Sequence, residues 1–220
     1  MIKKELKAVI FDMDGVIVDS MPYHFLAWYE ALRPWGVRVS CMDVYLKEGE
    51  RWDKTLTSLL EKARIHPSKA TLKKIFLSRQ KIFKKYFKRF IFKGAKGFLL
   101  CLKRRGYLLG LVTGTPEKEI QKILPSGIRN LFDIVIPGNA VEHGKPHPEP
   151  YLKACWGLHL EPCECAVIEN APLGIKSAKA AGMFCIALTT SLPAPYLKGA
   201  DRVAGSLEEI TGIIEQTCRI

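Results

Sequence analysis

Asp12 and Asp14 stand one residue apart at the end of a continuous apolar run, Ala8-Val-Ile-Phe, and Gly15 follows at once. A β-branched and aromatic run of this kind predicts a buried strand. Two acids at its end repel each other and lose hydration. A bound metal ion would offset both penalties. Alone, the pattern also fits a strand end with solvated acids and a turn glycine, so the remainder of the chain has to discriminate.

The first strand lies within residues 1–17. From Asp19 to about Phe92 the pattern is helical, with no convincing strand. Pro22 opens a helix to about Arg33, stopped by Pro34 and Gly36. Helices are also predicted over Met42–Leu46, Trp52–Ala63 and about Ser68–Phe90. From Gly94 onward, helices and short apolar runs alternate. Strands are predicted at Tyr107–Thr113, Phe132–Ile136, Cys165–Glu169, Phe184–Leu188 and near Arg202–Ala204. Thr115, followed by Pro116 and Glu117, reads as a helix cap, and Asn170 reads as another. Alternation at this spacing implies an α/β fold, a parallel sheet covered by helices on both faces. The helical insertion follows the first strand directly and should sit above that strand's C-terminal end.

In the longest helix Leu72, Ile75, Phe76, Ile82, Phe83, Tyr86, Phe87 and Phe90 form an apolar stripe, with Lys73, Lys74, Lys84, Lys85 and Lys88 off it. Arg79 stands in the stripe itself. Either it meets an anionic partner on the inward face, or it snorkels to the helix edge.

The formal charge of +12 is concentrated. Residues 62–105 carry 16 Lys or Arg and no Asp or Glu, so 18 basic residues face all 22 acidic ones elsewhere. Such a segment attracts anions: phosphates, nucleic acid or a membrane surface. No apolar stretch approaches the roughly 18 residues of a membrane-spanning helix, and the short run after Lys3, Lys4 and Lys7 is not a signal peptide. Seven cysteines, odd in number and irregularly spaced, fit free thiols in a reducing cytoplasm.

In open α/β sheets, ligands bind beyond the C-terminal ends of the strands. There the chain places Asp12 and Asp14, then Thr113 and Gly114, then a loop with Lys145, then Glu169 and Asn170. The set suits phosphoryl transfer, which is largely positioning and electrostatics. A carboxylate nucleophile must overcome the repulsion of a phosphate, and Mg²⁺ held by oxygen ligands relieves it. The Thr113 hydroxyl, backbone N–H groups and Lys145 can hold phosphate oxygens. Asp14 can protonate a leaving oxygen and then deprotonate water.

Asp12-Met-Asp14-Gly15, Thr113-Gly114, Gly144-Lys145-Pro146 and Glu169-Asn170, in this order and spacing, resemble the four motifs of the haloacid dehalogenase superfamily. The resemblance covers nearly the whole chain, and is to the branch with a helical cap inserted after the first motif, which holds β-phosphoglucomutases, phosphoglycolate phosphatases and sugar phosphatases. It implies a Rossmann-like core (1–17 and 92–220), a helical cap domain (18–91), Mg²⁺ as cofactor and an aspartyl-phosphate intermediate. By the same resemblance Asp12 is nucleophile and metal ligand, and Asp14 is acid/base and lends its backbone carbonyl to the metal. Thr113, Gly114 and Lys145 hold phosphate, and Glu169 and Asn170 complete the metal site. The usual last motif has two acids, so Asn170 is a departure.

Around His24, the segment Tyr23-His24-Phe25-x-Ala27-Trp28 is similar to the β-phosphoglucomutases. So are Lys47, Arg51 and Asp53, and Arg79 falls near the cap lysine of those enzymes; His24, Arg51 and Arg79 are therefore candidate substrate residues of the cap. Gly49 is displaced by one residue from the mutase loop, Trp52 is bulky, and Val112-Thr-Gly-Thr115 looks more like the phosphatases. The expected activity is thus a phosphatase of small phosphorylated metabolites, such as sugar phosphates, acting as a cytoplasmic monomer without a membrane partner. A phosphosugar mutase is the alternative. A nucleic-acid or anionic-surface binder on the same fold is a more distant one.

Overall fold

A computed structural model describes residues 5–218. The first strand, β1 (Ala8–Phe11), leads into four helices: α1 (Met21–Leu32), α2 (Cys41–Tyr45), α3 (Trp52–Lys62) and α4 (Lys69–Tyr86). Alternation then begins with α5 (Ala95–Arg104), β2 (Leu108–Val112), α6 (Glu117–Ile123), α7 (Ser126–Arg129) and β3 (Ile134–Ile136). It continues through α8 (Glu149–Gly157), β4 (Cys165–Glu169), α9 (Pro172–Ala180), β5 (Phe184–Leu188), β6 (Arg202–Ala204) and α10 (Leu207–Cys218).

The six strands form one parallel sheet in the order β3-β2-β1-β4-β5-β6. Side chains of a strand alternate between faces, and β1 serves a different core with each. Val9 and Phe11 pack with Phe98, Leu99 and Ile210 on one side, while Ala8 and Ile10 pack with Tyr151, Ala154 and Ile175 on the other. Strand order reverses between β1 and β4. That is the topological switch point at which open α/β sheets leave a crevice for ligand.

The helices between β1 and α5 hold a third apolar cluster, in which Trp28, Leu32, Leu56, Leu60 and Ile75 are buried together. The long helix stops at Tyr86, four residues earlier than its apolar spacing predicts. The chain instead turns to extended backbone at Phe87. The Asp19 N–H donates to the Phe90 carbonyl at 2.8 Å, and Val18 bridges Ile91 antiparallel. The insertion thus leaves and re-enters the sheet domain side by side, and Phe90, expected on the stripe, is 55% exposed. The short helix α7 was not expected from the sequence. Among the described residues no helix is long and apolar enough to cross a membrane.

Candidate active site

Asp12 and Thr113 sit one step beyond β1 and β2, and Glu169 ends β4. The Asp12 N–H still donates to the Ile168 carbonyl (3.0 Å), and the Thr113 N–H to that of Ile136 (3.1 Å), so the sheet ladder itself fixes both positions. The chain then turns sharply at Gly15, whose φ of +83° suits glycine. A Cβ there would lie 2.0 Å from Asn170 Nδ2, so the first and last rim loops touch at this point. Asp12, Asp14, Thr113, Lys145, Glu169 and Asn170 are all at most 4% exposed.

The two carboxylates have different surroundings. Asp14 is held on both oxygens. Oδ1 accepts from Ser20 Oγ at 2.5 Å and from His24 Nε2 at 3.1 Å, and Oδ2 accepts from Thr115 Oγ1 at 3.2 Å and Thr113 Oγ1 at 3.4 Å. Burial alone pushes the Asp14 carboxyl up, but His24, Ser20 and Thr115 outweigh it and hold the group below its ordinary value. Asp12 gives Oδ1 to Lys145 Nζ at 2.5 Å, while its Oδ2 is buried with no protein partner. Burial raises the Asp12 carboxyl well above its usual range. Lys145 opposes this, and Glu169 and Asp14 add to it.

Lys145 bridges Asp12 and Glu169 Oε1, the latter at 2.7 Å, and the two carboxylates raise its ammonium despite burial. The loop that carries it contains a cis peptide bond at Lys145-Pro146. Tyr151 Oη donates to Glu169 Oε1 (2.8 Å), and the backbone N–H groups of Asn170 and Ala171 donate to Oε2.

Asn170 does not cap α9, whose N-cap is Ala171. Its amide nitrogen donates to Ser191 Oγ at 2.9 Å, and its Oδ1 is buried without a partner. Thr115 likewise does not cap α6, whose N-cap is Pro116. Both residues are turned into the site instead. The orphaned amide oxygen of Asn170 and the Asp12 and Glu169 carboxylates on the same rim make an all-oxygen donor set. That chemistry fits Mg²⁺.

The cap residues complete the far wall. His24 on α1 stacks on Phe83 of α4, with ring centroids 4.6 Å apart. Arg79 Nη2 donates to His24 Nδ1, which leaves the His24 proton on Nε2 to donate to Asp14. Arg79 is therefore on the inward face, but it rests on an imidazole and on the rings of Trp28 and Phe83 rather than on a carboxylate. Arg51 is exposed, hydrogen-bonds Asp53 (3.3 Å) and the Glu142 carbonyl, and lies on Gly144. The cavity enclosed between rim and helices measures about 860 Å³, and Asp14, Thr113, Gly114, Lys145, Arg51 and Arg79 are among the residues that line it.

Sequence reasoning missed four participants. Ser20 and Tyr151 carry no signal in the sequence, Thr115 reads as a cap, and Glu48, which lines the cavity, stands in an ordinary turn.

A model of haloacid dehalogenase-like hydrolases matches residues 6–182. Validoxylamine A 7'-phosphate phosphatase of Streptomyces hygroscopicus subsp. limoneus is 40% identical over 118 residues, which is 53% of this chain and 55% of that protein, so the match spans about half of its length. β-Phosphoglucomutase of Bacillus subtilis is 32% identical over 215 residues, covering 94% of this chain and 92% of that one. The crystal structure of β-phosphoglucomutase from Clostridium difficile shares the fold, with a TM-score of 0.85 at 24% identity over 97% of both chains. A match through all four rim loops and the helical insertion between the first two identifies the chain as a member of the haloacid dehalogenase-like hydrolase family.

Proposed function

We propose that this enzyme is a Mg²⁺-dependent phosphatase of small phosphorylated metabolites, a sugar phosphate or similar monoester, that works through an aspartyl-phosphate on Asp12. The division of labour between the two carboxylates carries the reading. Asp14 is fixed on both oxygens by hydroxyl and imidazole donors, while Asp12 keeps one oxygen free of any protein donor. A nucleophile needs a free lone pair, and an acid/base needs a fixed orientation.

Asp12 Oδ2 attacks phosphorus and the bond from phosphorus to the ester oxygen breaks. The arriving phosphate dianion favours the protonated form of Asp14, and from that form Asp14 gives its proton to the ester oxygen and the alcohol leaves. Asp14 then takes a proton from water, whose oxygen attacks the phosphorus of the acyl phosphate. Inorganic phosphate departs, and the Asp12 carboxylate is restored. The Thr113 hydroxyl, the Gly114 N–H and the Lys145 ammonium hold the phosphoryl oxygens. Asp12, Glu169, Asn170 Oδ1 and the Asp14 backbone carbonyl would hold Mg²⁺, which when bound supplies the positive charge that offsets repulsion between carboxylate and phosphate. Tyr151 and the two backbone N–H groups fix Glu169 in place.

Among the described residues, 18–91 act as a cap over a core of 5–17 and 92–218; the ends of the expected core, 1–4 and 219–220, lie outside the described residues. The cap's separate apolar cluster and adjoining entry and exit support this division. The free thiols of the described cysteines fit a reducing cytoplasm.

The second reading, a phosphosugar mutase, draws on the B. subtilis relative and on Arg51 and Arg79 in the cavity wall. Incubation with β-glucose 1-phosphate and a glucose bisphosphate primer separates the two. Released inorganic phosphate supports the phosphatase; glucose 6-phosphate without phosphate release overturns it.

A further inference from the structure

The cavity contains a carboxylate for which the proposed reaction has no use. Glu48 lies in the turn after α2, where its N–H donates to the Tyr45 carbonyl (3.3 Å) and the Glu50 N–H to that of Lys47 (3.1 Å). The next residue, Gly49 (φ +82°), lies against Lys145, so closely that a Cβ would come within 2.7 Å of Lys145 Cδ. The turn therefore sets Glu48 beside the phosphate end of the cavity, where the charges acting on it are those of His24, Asp14, Lys145 and Arg79.

Three charged neighbours of Glu48 on the cap wall have protein partners, although the Arg79 Nε–H is left without one. Glu50 accepts the Thr55 hydroxyl at 2.9 Å. Arg79 is tied to His24 and lies over Trp28 and Phe83, and Arg51 is tied to Asp53 and the Glu142 carbonyl. Among the described residues the Glu48 carboxylate has no hydrogen bond or ion pair, and burial raises it. Lys47 lines the same wall, and Trp28, Trp52 and Phe76 give it flat apolar surfaces, with the Trp52 and Phe76 rings stacked at 4.0 Å. An apolar wall with a few convergent polar groups is how small-molecule sites fix orientation, and here the Glu48 carboxylate is the acceptor among them while Lys47 and the Arg79 Nε–H are donors.

We propose that Glu48 selects the leaving group, by accepting hydrogen bonds from its hydroxyl or ammonium groups and by repelling a second phosphate carried on it. The substrate class is then a hydroxylated or amino-substituted monophosphate rather than a bisphosphate. A site built to pair such donors discriminates strongly against ligands that lack them, and the like charge acts against the competitor. The inference rests on the phosphatase reading.

Glu48→Gln removes the charge and keeps the shape. Two ratios of kcat/KM are measured in the wild type and the variant: a hexose 6-phosphate over p-nitrophenyl phosphate, whose ring has no hydroxyl or ammonium, and the hexose 6-phosphate over the corresponding 1,6-bisphosphate. Each is expected to fall by about tenfold or more in the variant, the scale of a lost charged hydrogen bond. If either ratio keeps its wild-type value, the proposal is overturned. Loss of p-nitrophenyl phosphate turnover in Asp12→Asn tests the phosphatase reading by itself. In that Asp12→Asn background, calorimetry of hexose 6-phosphate binding with and without Glu48→Gln reads the Glu48 contact without catalysis. About tenfold weaker binding supports it and equal binding overturns it.

Discussion

Ser20→Ala isolates one of the contacts that set the state of Asp14. The Ser20 hydroxyl donates to Asp14 Oδ1 at 2.5 Å, and both residues are at most 2% exposed. The substitution removes one oxygen and leaves the backbone untouched, including the Ser20 carbonyl that accepts from Tyr23 and His24. His24 and Thr115 still donate to Asp14, so the carboxylate is not orphaned. A hydrogen bond to an ionised group is worth about 1.5–3 kcal/mol, and about 1.36 kcal/mol equals one pKa unit. Donors to a carboxylate favour its charged form, so losing one raises the pKa, here by about one to two units. p-Nitrophenolate leaves without being protonated, so with that ester the acid limb of the kcat–pH profile reports Asp14 as the base toward water. The limb should move upward by about one to two pH units in Ser20→Ala. An unmoved limb, or one displaced to lower pH, would refute the assignment of Asp14 as the base held by Ser20.

Asn170→Asp adds a charge where the amide Oδ1 is orphaned, and the Ser191 hydroxyl can turn from acceptor to donor. The Mg²⁺ concentration for half-maximal activity should fall severalfold, and the Mg²⁺-induced rise in Tm should grow; no change, or weaker binding, counts against a ligand role. At the surface, Asp43 closes the capping box of α2 with Ser40 and pairs with Lys62 at 2.5 Å. Burial pushes the Asp43 carboxyl up, but Lys62 and Ser40 outweigh it and bring it down to about 2. A lowered pKa stabilises above the unfolded value of about 3.9 and loses that contribution as pH falls toward 2. Asp43→Ala should therefore cost about 1 kcal/mol at neutral pH, read as a drop in Tm that narrows on acidification, and a gap that widens in acid would contradict the sign.

The rim was legible because three of its four motifs close strands whose apolar runs are unmistakable, as at Ala8–Phe11 and Cys165–Glu169. What lay between chemistry and geometry was harder to read. Thr115 and Asn170 carry side chains that suit a helix cap, and only the placement of Asp14 and Ser191 shows that they are used elsewhere. For Arg79 the sequence left open an inward anionic partner or the helix edge; it turns inward, and its partner is an imidazole 55 residues away, which no local pattern specifies. The stripe of α4 predicted too long a helix, because the pairing of Val18 with Ile91 overrides local propensity there. Glu48 gave no signal, since an acid in a turn is ordinarily solvated.

The central claim is that phosphoryl transfer passes through Asp12. Acid quenching of the enzyme during turnover of a phosphate-labelled hexose 6-phosphate, followed by mapping of the labelled peptide, tests it directly. The expected result is an acyl phosphate, labile to hydroxylamine, on the peptide that contains Asp12, with both label and phosphate release absent in Asp12→Asn. Wild-type turnover by Asp12→Asn, or label on a different residue, would contradict it.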